Sequence, residues 1–497
     1  MSHIIDLHCH PALKPLGRSY SSSAAGINQK DKSKRGSIWH YDPPQGTDLF
    51  LQKLLGMTRF AQADFSSMAY GNVQIVCASM YRVENGLIDF RFFGIGEFTK
   101  FASNFISGLG RQRIKHLQNN LDYFSELEKE YDYYRQLDGE EIVFKGEIKR
   151  KYIIVKNYTD LENRISEAES DKSVQTIFVI ITFEGAHHFF NRSDHIDPAN
   201  LSNHEAEVLG NVQKVKSWPH SPFFVTFGHH FYNGLCGHAE SLKDFVQDVL
   251  THQEFMMDTP FNSLGWKVVS ALLDKTNGKR IYIDIKHMSY KSRIEYYRFL
   301  KANYPAEYAA KELPLIISHG ACNGLASKEN PVYHPGLEAT AKNMYAADIN
   351  FYDIELIELA TSGGIIGLQL DERRIGSKSF IKSLKKGNGT NEKRHYGSKL
   401  LWNNIQHIVQ LLDAHNLFAW DCIALGSDND GIIDPINYFW TSEDFDDLIQ
   451  YIERHAFNFL TNPETKFKVA ANAISAAEAV HRVFYGNAFE FFRKYFK

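Results

Sequence analysis

Cysteine, excess charge and long apolar runs are all scarce in this chain, and each scarcity removes a class of protein. Cys9, Cys77, Cys236, Cys322 and Cys422 are the only cysteines in 497 residues, odd in number and without a CxxC pair. They read as reduced thiols, which sets aside a disulfide scaffold and predicts a cytoplasmic setting. With 55 basic against 59 acidic residues, and the basic ones spread rather than striped, the chain offers no field for a nucleic-acid backbone. No apolar run approaches the roughly 18 to 20 residues of a membrane span, and no signal-peptide pattern precedes the first apolar run. Fixed-period repeats and low-complexity tracts are absent too. What remains is a globular composition, 43% hydrophobic, ample for a large core.

What the chain does have is a series of short apolar runs that stop in polar residues. Ile4–Leu7, 73–81 (VQIVCASMY), 176–183 (TIFVIITF), 223–227 (FFVTF), 281–285 (IYIDI), 315–318 (LIIS), 365–370 (IIGLQL) and 422–427 (CIALGS) make eight. Near-continuous Ile and Val content fits strands buried on both faces, hence a parallel sheet. Helical periodicity follows many of them, at 205–217, 289–301, 353–361, 399–412 and 442–454. Eight strands alternating with helices predict an α/β fold, a (β/α)8 TIM barrel formed by residues 1–497 as a single hydrolase domain. The surplus length is assigned to insertions at about 12–72, 82–170, 323–350 and 376–399, the largest flanking the second strand. All leave from C-terminal strand ends, where barrel enzymes build their sites. The polar segment 20–37 is a lid candidate or a solvated linker.

Six of the eight runs end in a residue able to bind a metal or carry a proton. Two histidines, His8 and His10, stand one residue apart after the first run, so they share a strand face. Glu184 ends the third, His229 and His230 the fourth, His287 the fifth, His319 the sixth and Asp428 the eighth. With 22 histidines in the chain, any single one reads as structural, and His187, His188, His220, His230 and His238 are assigned so. Repetition at the same end of successive strands is different, because a closed parallel barrel brings those ends to one mouth. Imidazoles with a carboxylate there predict two divalent ions, best Zn2+, with Mn2+, Fe2+ or Co2+ also suited. A shared Glu would bridge the pair, a bridging hydroxide would be the nucleophile, and Asp428 would move its proton.

The segments DLHCHP, FEGAHHF, FVTFGHHFYN, RIYIDIKHMS, PLIISHG and ALGSDNDG, in this order, resemble the signatures of the renal (membrane) dipeptidase family of metallopeptidases, in the amidohydrolase superfamily. The resemblance extends over nearly the whole chain, to Gly486-Asn487-Ala488-Phe489. It implies a binuclear zinc barrel that hydrolyses dipeptides or similar small amides, with a homodimer as the implied assembly. By motif position it implies His8 and His10 on one metal, His287 and His319 on the other, Glu184 as the bridge, Asp428 as the catalytic aspartate and His229 as the group that polarises the scissile carbonyl.

Three departures bear on that implication. The first strand carries His8-Cys9-His10 where the family has His-x-Asp, which makes the first metal site one charge less negative. The region after the sixth strand, Ala347-Asp348-Ile349-Asn350-Phe351, lacks the family's carboxylate-gripping arginine, for which Arg373 or Arg374 is the substitute on offer. Ser427-Asp428-Asn429-Asp430 stands in place of Gly-Asp-Phe-Asp. Two alternatives accompany the dipeptidase reading: an amidohydrolase acting on a lactone, cyclic amide or phosphoester, and a non-catalytic metal-binding scaffold.

Overall fold

The computed structural model describes residues 3–20, 31–55, 58, 60–88, 108–143, 148–192, 196–242, 253–431 and 434–497. Among these residues nine strands form: β1 (Ile4–Cys9), β2 (Val73–Met80), β3 (Lys149–Ile154), β4 (Val174–Glu184), β5 (Phe224–Thr226), β6 (Tyr282–Asp284), β7 (Ile316–Gly320), β8 (Ile365–Leu368) and β9 (Ile423–Leu425). Their order is β1-β2-β4-β5-β6-β7-β8-β9, with β3 beside β4. Eight strands in chain order, parallel and interleaved with helices, make the (β/α)8 barrel class. All eight of those runs were legible as apolar stretches. β3 was not: its exposure alternates along Lys-Arg-Lys-Tyr-Ile-Ile, so half its residues are polar and it hides inside the 82–170 insertion. Of the lid candidate 20–37, residues 21–30 lie outside the described residues.

Contacts divide the chain into two units. One comprises Met1–Cys9, Ser67–Gln74 and Leu300–Tyr495. In it β7 pairs with β8 (Ile316 with Ile365) and β8 with β9 (Ile366 with Ile423), both parallel. Alongside, the end of β1 meets the segment after β9 through a parallel bridge between Cys9 and Asn429. The approach is close: a Cβ on Gly367 or Gly426 would collide with the Ser318 carbonyl oxygen. Helices Asp353–Thr361, Thr390–Ala414 and Phe445–Leu460 pack in this unit. His407 and Asp353 tie two of them together at 2.8 Å, fully buried.

The other unit comprises His10–Ser66, Ile75–Phe299 and Phe496–Lys497. In it β4 pairs with β2 (Met80 with Phe183), with β3 (Ile154 with Val179) and with β5 (Glu184 with Thr226). β5 then pairs with β6 (Thr226 with Asp284). Much of the 82–170 insertion is a helical layer held by charge. Buried Glu126, on the helix Tyr123–Arg135, accepts from Arg113 at 2.5 Å, His116 at 2.8 Å and Lys129 at 2.6 Å. Arg82, just after β2, donates to the Leu117 and Asn120 carbonyls at 3.0 and 2.9 Å, at the C-terminal end of the helix Arg111–Asn119. The turn after β2 is therefore fixed from outside.

One turn further along Tyr123–Arg135, Glu130 accepts the Tyr81 N–H at 2.9 Å, while among the described residues its other oxygen has no hydrogen-bond partner. Burial pushes its pKa up to about 7. A carboxyl raised on folding from about 4.3 binds more protons when native, so its stability is full below that value and declines until the folded pKa is passed. The chelator-treated chain is expected to lose roughly 3 kcal/mol between pH 5 and 8 through this group. Urea unfolding at the two pH values checks it: Glu130→Gln lacks that loss, and an equal loss in the variant contradicts the assignment.

Candidate metal centre

The first unit gathers His8 from β1, His319 from β7 and Asp428 from the turn after β9, with possible ligand atoms within 4.8 Å of one another. The rings of His8 and His319 lie 3.9 Å apart. Their Nε2 atoms stand 3.9 and 4.0 Å from the two Asp428 oxygens. Ser318 Oγ lies 3.1 Å from His8 Nδ1 and 3.0 Å from His319 Nδ1, so one hydroxyl orients both rings and leaves both Nε2 atoms toward the carboxylate. Asp428 is placed by its own N–H, which donates to the His8 carbonyl at 2.8 Å. Beneath it, buried Asp6 accepts from the Ser427 N–H at 2.9 Å and hydroxyl at 2.5 Å, and burial pushes its pKa up to about 6.

In the second unit three imidazoles converge on Glu184, the last residue of β4. His10 Nε2 is 3.0 Å from Oε2, His287 Nε2 is 3.3 Å from Oε1 and His229 Nε2 is 3.6 Å from Oε2. The Ser79 carbonyl lies 2.9 Å from His10 Nδ1 and can only accept, so Nδ1 carries the proton. His10 therefore turns Nε2 toward a carboxylate oxygen, an arrangement that a divalent cation between the two would stabilise. Burial drives the His287 pKa well below the ordinary value, keeping it neutral. His229 is the reverse: burial opposes its charge, but the Glu84 and Glu184 carboxylates outweigh that and raise its pKa.

The donor set fits a divalent metal. Around a tetrahedral ion with bonds of about 2.1 Å, neighbouring ligand atoms stand ~3.4 Å apart. The His10 and His287 nitrogens, at 3.0 and 3.3 Å from the Glu184 oxygens, stand close to that spacing. Backbone strain marks the same positions: His287 and Asp428 have φ of 66° and 59°, the left-handed region that non-glycine residues avoid.

The remaining predicted residues fall as follows. His187 and His188 follow Glu184 in a short helical turn, where His188 accepts the Arg82 N–H at 2.9 Å. His220 bonds Tyr131 and His238 the Gln253 carbonyl. His230, assigned as structural, forms with His229 and His287 a third group at ligand spacing, while its Nδ1 meets Ser241 Oγ at 2.7 Å. Arg373 grips Asp371 through Nε at 3.2 Å and a terminal nitrogen at 3.0 Å, with Asp434 3.8 Å away. Arg374 lies 6.0 Å over the Tyr345 ring. Sequence reasoning missed Glu84, whose Oε2 is 2.5 Å from His229 Nδ1. An acid just beyond the second strand, where other strand ends carry a ligand or proton carrier, is the available signal.

No protein-family model and no curated protein sequence matches the chain. Among solved structures it is similar to a dipeptidase described as a metallopeptidase of family M19, at 12% identity, with 99% of this chain and 98% of that one covered and a TM-score of 0.50. A metallopeptidase from Rhodobacter sphaeroides, liganded with a phosphinate mimic of the dipeptide L-Ala-D-Ala, matches at 12% identity over 99% of each chain, TM-score 0.48. An amidohydrolase from Pseudomonas aeruginosa matches at 15% identity over 87% of this chain and 92% of that one, TM-score 0.42. The first of these shares the fold. Among the described residues no helix is long and apolar enough to cross a membrane.

Proposed function

We propose that this chain is a metal-dependent hydrolase that cleaves a peptide or amide bond in a small dipeptide-like substrate, using two divalent ions, preferably Zn2+. The observation that carries the reading is the convergence of the His10, His287 and His229 imidazoles on Glu184, with the Ser79 carbonyl holding His10 Nδ1 so that Nε2 faces the carboxylate at 3.0 Å. By the motif positions that resemble the renal dipeptidase family, His8 and His10 would hold one ion and His287 and His319 the other, with Glu184 shared. When bound, such ions supply Lewis acidity to a carbonyl and lower the pKa of water.

The chain's own groups do the rest. His229 presents Nε2 to the substrate carbonyl oxygen, where a donor stabilises the charge that develops on it. Asp428 takes a proton from the attacking water and delivers it to the leaving nitrogen. Arg373 is the cation on offer for a substrate carboxylate, held in place by Asp371. The fold of the M19 metallopeptidase supports the reading, as do the motifs that resemble the renal dipeptidase family.

A substrate panel tests it. The Zn2+-loaded chain is expected to hydrolyse dipeptides or N-acyl amino acids, with activity lost on chelation and restored by metal. Turnover confined to lactones or aryl phosphates replaces the amide reading with the alternative, and no turnover of any class returns the chain to a metal-binding scaffold.

A further inference from the structure

The turn that follows β2 has no ligand in the proposed centre, yet it packs against the histidine that follows β5 through several kinds of contact. Glu84 Oε2 meets His229 Nδ1 at 2.5 Å, and Glu84 Oε1 accepts the Phe231 N–H at 3.2 Å. One buried carboxylate therefore grips the β5 loop on both sides of His230. The Tyr81 ring packs edge-on against the His229 ring at 4.7 Å, and Tyr81 Oη accepts the Glu84 N–H at 3.3 Å. Gly86 completes the seat: a Cβ there would stand 2.5 Å from the Phe231 ring. The turn itself is anchored by the Arg82 guanidinium and by the Glu130 bond to the Tyr81 N–H.

From this geometry we propose that Glu84 is the positioning residue for His229. It occupies Nδ1 and fixes the ring plane, so that Nε2 alone faces Glu184 and the substrate. The chemistry is that of a ring-orienting carboxylate, which acts on the reaction through another side chain. The proposal rests on the hydrolase reading above for its effect on turnover, but the hydrogen bond itself is independent of that reading. A purely structural Glu84 would hold the loop without caring which ring nitrogen is engaged.

The test uses the full chain loaded with Zn2+ and the variants Glu84→Ala and Glu84→Gln. Alanine removes the acceptor, and kcat is expected to fall about 10- to 100-fold with KM and metal content close to the parent's. Glutamine keeps an acceptor oxygen at the same reach and is expected to recover most of the loss. Histidine-selective 15N spectra supply a second readout: the parent shows a slowly exchanging proton on His229 Nδ1, assigned by its disappearance in His229→Gln, and Glu84→Ala loses it. Parent-level kcat in Glu84→Ala, or a His229 proton indifferent to that variant, overturns the proposal. A parent chain that turns over nothing while showing the Glu84-dependent proton overturns the hydrolase reading and leaves the Glu84 hold on His229 standing.

Discussion

Asp428→Asn is expected to abolish turnover while leaving the metal content of the chain unchanged. The asparagine is nearly isosteric, so the bond from its N–H to the His8 carbonyl, 2.8 Å in the parent, is retained. What disappears is the capacity to take a proton. The carboxylate oxygens stand 3.9 and 4.0 Å from His8 and His319 Nε2, too far for direct hydrogen bonds. Asp428 is also the one member of its group with solvent contact, its side chain 14% exposed beside imidazoles at 0 and 1%. A carboxylate held near two candidate ligands, at a strained φ of 59° and open to water, suits proton transfer better than coordination. Loss of a general acid or base costs roughly 100- to 10,000-fold in rate. Steady-state kinetics beside plasma mass spectrometry separates the possibilities: parent-level kcat removes Asp428 from the mechanism, and loss of metal makes it a ligand.

The second large effect is expected at Glu184, whose carboxylate stands among three buried Nε2 atoms at 3.0, 3.3 and 3.6 Å. Glu184→Ala leaves His10 still oriented by the Ser79 carbonyl but with no anionic co-ligand. Outer partners of metal ligands already carry 10- to 100-fold in affinity, so loss of an inner carboxylate should exceed about 100-fold and empty the site at ordinary metal concentrations. Retention of the parent's metal content by Glu184→Ala would show that the histidines bind elsewhere.

The sequence discloses the parts of this molecule that repeat. Eight near-continuous apolar runs stand out because strands buried on both faces have no polar alternation to disguise them. Their ends carry His8, His10, Glu184, His287, His319 and Asp428, so the ligand candidates follow from where each run stops. β3 escapes because Lys149, Arg150 and Lys151 give it the composition of a loop. The helix found at 399–412 begins earlier, at Thr390, because its first turns are polar and face solvent. Ser79 and Ser318 are invisible for a different reason: a backbone carbonyl and a small hydroxyl acquire meaning only when a ring nitrogen is folded against them. Arg373 teaches the same lesson about charge: Asp371 stands two residues away in the sequence, but that the guanidinium closes on it and lies near Asp434 appears only in the fold.

The central claim, that these strand ends hold a pair of divalent ions, is tested most directly by metal content per chain, measured by plasma mass spectrometry on protein purified without chelators. The account predicts about two equivalents, displaced together by a strong chelator and restored by Zn2+. Negligible metal that neither Zn2+ nor Mn2+ restores would contradict it.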